Sequence, residues 1–168
     1  MSTSAKREQL PAPASADKTR LVEANVNPQT GFASDYLNHF SEAVMLLELM
    51  MEMPECREDF LAWQPRKYEE HFAASNFKHR DVAIAAYGEA DPELRRRLDT
   101  LADSMNAILL ATREVMRREY SERTTAEIAD IAVRWVKPLV ARAGAVINGT
   151  EAESSAPLQK TIDALLAR

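Results

Sequence analysis

The sequence predicts an all-α protein: a helical bundle of three to four main helices with short connecting helices and a disordered N-terminal tail. Only 4 of its 168 residues are glycine and 7% are aromatic, whereas a β-sandwich or barrel needs many tight turns and many aromatic or β-branched residues. The strong helix formers Leu, Ala, Met, Glu and Arg dominate instead. Apolar residues also recur at steps of three and four over long stretches, which is the period of a helix.

The first 33 residues are predicted to form a flexible tail. Three prolines, Pro11, Pro13 and Pro28, lie there among Ser, Ala, Lys and Asn residues, without a periodic apolar face. Such a stretch buries too little apolar surface to offset the entropy lost on ordering. We therefore divide the chain into a tail, residues 1–33, and a single α-helical bundle domain, residues 34–168. The only apolar cluster through which the tail could dock is Leu21, Val22 and Val26.

The first core helix is predicted over residues 37–51, where a stripe of apolar residues has helical spacing: Leu37, Phe40, Val44, Leu47 and Met51. The second half of this segment is apolar nearly all round, as in a central core helix. Pro54 breaks the helix and opens a short one, which Pro65 ends. Residues 66–90 are predicted to form two further short helices, around 68–74 and 80–87.

A long helix is predicted to begin after Asp91, which is a good N-cap, with Pro92 at the first helical position. Its apolar residues follow a heptad pattern that begins with Leu94, Leu98, Leu101, Met105 and Ile108. The pattern predicts a helix of roughly 30 residues, or about 45 Å. This seam is expected to pack either inside the bundle or against a second copy of the chain.

The next helix is predicted to begin at Thr124, with Glu127 completing a capping box. Its expected buried face comprises Ile128, Ala132, Trp135, Leu139, Ala143 and Val146. Pro138 should kink this helix and Gly149 should end it. A last short helix is expected to begin near Ser155, with Leu158, Ile162, Leu165 and Leu166 on one face.

Charge and cysteine content exclude several classes of function. The formal net charge is -5, which opposes nucleic-acid binding, because that binding depends on basic residues displacing counterions from phosphates. A single cysteine, Cys56, allows no intramolecular disulfide. No run of about 18 apolar residues occurs and no apolar leader segment opens the sequence. We therefore expect a cytoplasmic protein without a membrane partner.

Histidines beside carboxylates suggest a divalent-metal site as an alternative, with the candidate ligands His39, Glu42, Glu70, His71 and His79. An imidazole and a carboxylate three residues apart on one helix can share a metal ion. The order His39-x-x-Glu42, however, reverses the Glu-x-x-His pattern of di-iron bundles, and neither HExxH nor CxxC occurs. Histidines on helix surfaces or between helices explain the same pattern more simply.

Two features of the apolar helix also allow two interpretations each. Glu48 is either a buried carboxylate with a raised pKa or the solvent-facing strip of the helix, and Glu52 four residues later favours the strip. The methionines at 45, 50, 51 and 53 either fill the core or line an adaptable groove for a partner. A further alternative, ranked after these two, is that they form the wall of a small-molecule pocket.

No motif for nucleophilic catalysis and no glycine-rich phosphate loop occurs in the sequence. We therefore expect a non-enzymatic interaction or regulatory protein, either a homodimer or bound to another protein, that needs no cofactor. A metal-binding helical bundle is the alternative.

Overall fold

The computed structural model describes residues 17–150, and within this range the fold is all-helical. It contains seven α-helices and one 3-10 turn, Ser34–Tyr36, besides a single isolated bridge between Val26 and Ala33. The helices are α1 Lys18–Glu23, α2 Leu37–Leu49, α3 Cys56–Ala62, α4 Tyr68–Ala74, α5 Arg80–Glu89, α6 Pro92–Met116 and α7 Glu122–Asn148. The predicted all-α class is confirmed.

Three long helices, α2, α6 and α7, form the bundle, and the short helices close it. Helices α6 and α7 are joined by a five-residue turn and pack against each other as antiparallel neighbours, and α2 packs on α7. Helix α3 packs against α2 and α6, while α4 and α5 pack together and α1 packs against α5. The core therefore runs along α7 and continues beneath the short helices.

Helix α6 begins as predicted but ends earlier. The Asp91 side chain accepts hydrogen bonds from the backbone N–H groups of Glu93 and Leu94, at 2.9 and 3.1 Å, and Pro92 occupies the first turn. The helix has 25 residues, or about 37 Å, rather than the expected 30. It is shorter because Ser121, not Thr124, caps α7: its Oγ accepts from the Thr124 N–H at 3.2 Å.

Helix α7 stays continuous through Pro138 and ends at the predicted place. Gly149 has a φ of 70°, and the N–H groups of Gly149 and Thr150 donate to the carbonyls of Val146 and Ala145. This is the glycine-dependent reversal that commonly ends helices. One buried position was wrong, since Trp135 is 64% exposed. The face that is buried comprises Ala129, Ala132, Val133, Val136, Ala143, Val146 and Ile147.

The heptad seam of α6 lies inside the chain. Leu98, Leu101 and Met105 are buried in the core, and Leu94 and Ile108 pack against it while partly buried. Helix α7 covers this face because the two helices are sequential and antiparallel. The seam therefore leaves no comparable surface for a second copy of the chain.

The predicted flexible tail is wrong for residues 17–33. Leu21, Val26 and Phe32 are buried, the Thr30 Oγ1 donates to the Ile147 carbonyl at 2.6 Å, and the Ala33 N–H donates to the Tyr68 hydroxyl at 2.8 Å. These distant partners satisfy the polar groups of a segment that has no periodic pattern of its own. Residues 1–16 and the helix expected near Ser155 lie outside the described residues.

Candidate functional site

The structure brings two of the five predicted metal ligands together as neighbouring rings. His39 lies on α2 and His71 on α4, with ring centroids 5.8 Å apart. His39 stacks on Trp63 at 4.7 Å, and His71 meets Tyr36 edge-on at 5.7 Å. Both imidazoles are thus part of an aromatic cluster that joins α2 to the short helices.

The other three predicted ligands do not complete a site. Glu42 is exposed and, with His39, lines a groove of 440 Å³. Glu70 accepts the Lys67 N–H at 2.9 Å and so caps α4, and His79 precedes α5 beside Phe77. Among residues 17–150, no three His, Cys, Asp or Glu side chains lie close enough together to hold a metal ion.

Both paired histidines have lowered pKa values. For His39, burial is the main cause, followed by His71 and by the charge of Arg66, and together they lower the pKa to about 4. Burial and then Arg66 lower the pKa of His71, against opposing effects of Asp35 and Glu42. Both rings are therefore neutral at pH 7, because desolvation penalises the charged form. Such a pair is suited to packing between helices.

His39 also anchors the chain that follows α3. The Trp63 Nε1 donates to the His39 carbonyl at 3.1 Å, and the Trp63 carbonyl accepts from the Arg113 Nη1 at 2.6 Å. The Nε2 of His39 and the Nδ1 of His71 are buried, and no hydrogen bond within residues 17–150 engages them. The contacts of this cluster tie α2, α4 and α6 together.

Glu48 is on the solvent-facing strip of α2, as the simpler interpretation of the sequence predicts. Its side chain is 44% exposed and forms an ion pair with Lys137 of α7. Cys56, in contrast, is buried at the start of α3.

The methionines of the 45–53 segment divide between the core and the surface. Met50 is buried, whereas Met45, Met51 and Met53 are 50%, 73% and 43% exposed. The pattern follows from the end of α2 at Leu49, after which the chain turns at Pro54 into α3. Met51 is therefore presented on a turn and not on a helix face.

A groove lies beside this turn. We call it the methionine groove; it has a volume of 740 Å³ and its apolar lining residues are Met50, Met51, Pro54, Tyr120 and Ala126. The turn between α6 and α7 and the first turns of α7 supply its opposite wall, with Tyr120 42% exposed. The charged residues around it are Arg57, Glu119, Glu122, Arg123, Glu127 and Asp130.

A second exposed apolar surface lies on α7. Ile131 is 45% and Trp135 is 64% exposed, four residues apart on α7, and residues at this spacing share one face of a helix. Neither side chain lines the methionine groove or the groove beside His39. The sequence had assigned Trp135 to the core because tryptophan fits an apolar helical stripe.

Comparison of the chain with protein-family models, with curated proteins and with solved structures finds no match. Across residues 17–150, none of the helices has the length and apolar character that a membrane span requires.

Proposed function

We propose that this protein is a non-enzymatic interaction protein that binds a segment of another protein in the methionine groove. The supporting observation is the groove itself, which exposes two large apolar side chains, Met51 and Tyr120, on opposite walls of a 740 Å³ concavity. Exposed apolar residues that converge on a concave surface are typical of binding sites. Unbranched thioethers also adapt easily to the shape of a partner.

Two further features support binding over catalysis. The strongly perturbed histidines, His39 and His71, lie in an aromatic cluster and outside the groove. The charged side chains at the rim are carboxylates and arginines, and two of them, Arg123 and Glu127, are paired with each other. The groove offers shape, apolar area and a charged rim, which are the elements of a protein-binding surface.

The expected class of partner and the expected compartment follow from the composition of the chain. Its acidic balance of -5 favours a protein partner over nucleic acid, and its single thiol suits the cytoplasm. A homodimer stays a prediction, and it would have to use a surface other than the α6 seam, since Leu98 and Met105 are fully buried within one chain. Light scattering on the full-length chain tests that prediction directly.

The test of the groove is affinity capture from the native cells with three forms of the full-length protein. In the groove variant, Met51→Ser is combined with Tyr120→Ser. The matched control combines Met45→Ser with Val115→Ser, because these side chains are 50% and 42% exposed and neither lines the groove. A stoichiometric partner should bind the unmodified and control forms and be lost from the groove variant.

Two results would contradict the proposal. One is a partner that binds the groove variant as tightly as the unmodified protein. The other is an eluate without protein but with near-equimolar iron, zinc or manganese that is lost in His39→Ala, which would favour the metal-binding alternative. Circular dichroism of each variant shows that the fold is retained before binding is compared.

A further inference from the structure

The charge around the methionine groove is strongly one-sided. The two segments that form its walls, residues 50–57 and 119–130, contain six acidic and two basic residues, so together they have a formal charge of -4. Of the six charged residues that line the groove itself, four are acidic. A potential of one sign along a cleft attracts ligands of the opposite charge.

The two lining arginines are already bound within the chain. Arg57 pairs with Glu58 at 2.9 Å, and its second Nη donates to the Met116 carbonyl at 2.6 Å. Arg123 pairs with Glu127 at 3.1 Å. Each arginine therefore has a carboxylate partner within the chain that offsets its charge, although the Arg123 side chain is 89% exposed.

The acidic residues, in contrast, include open carboxylates. Glu119 and Glu122 line the groove and are exposed, and no ion pair among residues 17–150 engages either. Glu52 and Glu55 extend this acidic character along the exposed turn that contains Met51. The groove therefore combines apolar side chains with open carboxylates on the side formed by the α6–α7 turn, and two further carboxylates lie near Met51 outside the lining.

We infer that the methionine groove binds a basic amphipathic helix, with its apolar face on the methionines and its Lys and Arg residues against the acidic rim. This inference rests on the proposed function and specifies its partner. A helix matches the site because its apolar residues, at steps of three and four, present one narrow stripe to a groove. A second copy of this chain docked groove to groove would be repelled, since like charges would meet.

The probes are two synthetic 16-residue peptides with the same Leu and Phe positions at helical spacing. One peptide has Lys and Arg at its polar positions and the other has Glu. Fluorescence anisotropy with the full-length chain should show the basic peptide binding at least about tenfold more tightly at 50 mM salt. At 500 mM salt this advantage should fall to about threefold or less, because rim charges are then screened.

Charge-removing variants test whether the preference for the basic peptide comes from the rim of the groove. Glu119→Gln combined with Glu122→Gln should weaken the basic peptide about three- to tenfold, because two rim carboxylates are lost. Glu69→Gln combined with Glu89→Gln is the matched control, since these glutamates are exposed on α4 and α5 and do not line the groove. The control should change the affinity by less than about twofold.

The possible outcomes distinguish a failure of the charge inference from a failure of the proposed function. Equal binding of both peptides, lost in the Met51→Ser and Tyr120→Ser variant, would overturn the charge inference and leave the groove as a binding site. The charge inference would also be overturned if the Glu69→Gln and Glu89→Gln control weakened the basic peptide as much as the groove variant does. The attraction would then be nonspecific. If neither peptide binds at 100 µM, the inference fails, and the capture experiment then decides the proposed function alone.

Discussion

The clearest pH prediction concerns His39. The folded chain lowers the pKa of this imidazole from 6.5 to about 4, chiefly through burial and secondly through His71 and Arg66. In the unfolded chain the ring takes up a proton below pH 6.5, whereas in the folded chain it stays neutral until about pH 4. Folding is therefore penalised by a falling pH across that window, and this penalty is absent at pH 7 and above.

The magnitude follows from the two pKa values. One pKa unit corresponds to about 1.4 kcal/mol, so the penalty reaches about 2 kcal/mol at pH 5 and about 3 kcal/mol below pH 4. The variant His39→Gln removes the titrating group. Between pH 7 and pH 5, its free energy of unfolding should therefore fall by about 2 kcal/mol less than that of the unmodified protein.

Urea denaturation monitored by circular dichroism at 222 nm measures this difference. The fluorescence of Trp63 is a poor reporter, since the His39 ring stacks on it at 4.7 Å. His79→Gln is the control, because His79 is partly exposed and stands before α5, away from the pair. The reasoning is refuted if His39→Gln keeps the full pH dependence, or if NMR titration places the His39 pKa near 6.5.

Four further substitutions test the packing, each by urea denaturation of the full-length chain. Tyr68→Phe should cost about 1–3 kcal/mol, because the buried Ala33 N–H loses its partner; no change would mean that water replaces the hydroxyl. Leu98→Ala, at a fully buried position, should cost about 2–5 kcal/mol, and a cost below 1 kcal/mol would contradict the internal seam. Gly88→Ala should stabilise by about 0.5–1 kcal/mol, since an added Cβ meets nothing within 4 Å in α5. Gly31→Ala should destabilise, because φ is 79° and the Ala86 carbonyl lies 3.1 Å from the new Cβ.

Most of the helices could be predicted because their signals are local. Asp91 and Pro92 start α6, and Gly149 ends α7 by adopting the left-handed conformation. Each of these capping signals acts within a few residues of its own position. The buried face of α6 could likewise be predicted from the sequence, since Leu98 and Met105 repeat at heptad spacing.

The errors concern contacts between distant parts of the chain. The ordering of residues 17–33 depends on the Thr30 bond to Ile147 and the Ala33 bond to Tyr68, and no local pattern encodes either partner. The spacing of Trp135 fits an apolar stripe whether that side of α7 is buried or exposed. Which side is buried depends on the rotation of α7 about its axis, and that rotation is set by the packing of α2 and α6.

The candidate site was partly predictable for the same reason. The density of methionines between 45 and 53 allowed an adaptable groove as well as a core, and Met50 and Met51 do line a groove. The opposite wall, with Tyr120 and Ala126, comes from about seventy residues further along the chain. The pairing of His39 with His71 also required the packing of α4 beneath the 3-10 turn and α2.

The central claim is that the methionine groove is the binding surface, and hydrogen–deuterium exchange of the captured complex tests it most directly. The account predicts that the partner slows exchange in residues 50–57 and 119–130, which form the two walls. Exchange around Trp135 on the outer face of α7 should stay as it is in the free protein. Protection confined to residues 131–142, with the groove unchanged, would contradict the claim and transfer the binding surface to that exposed face.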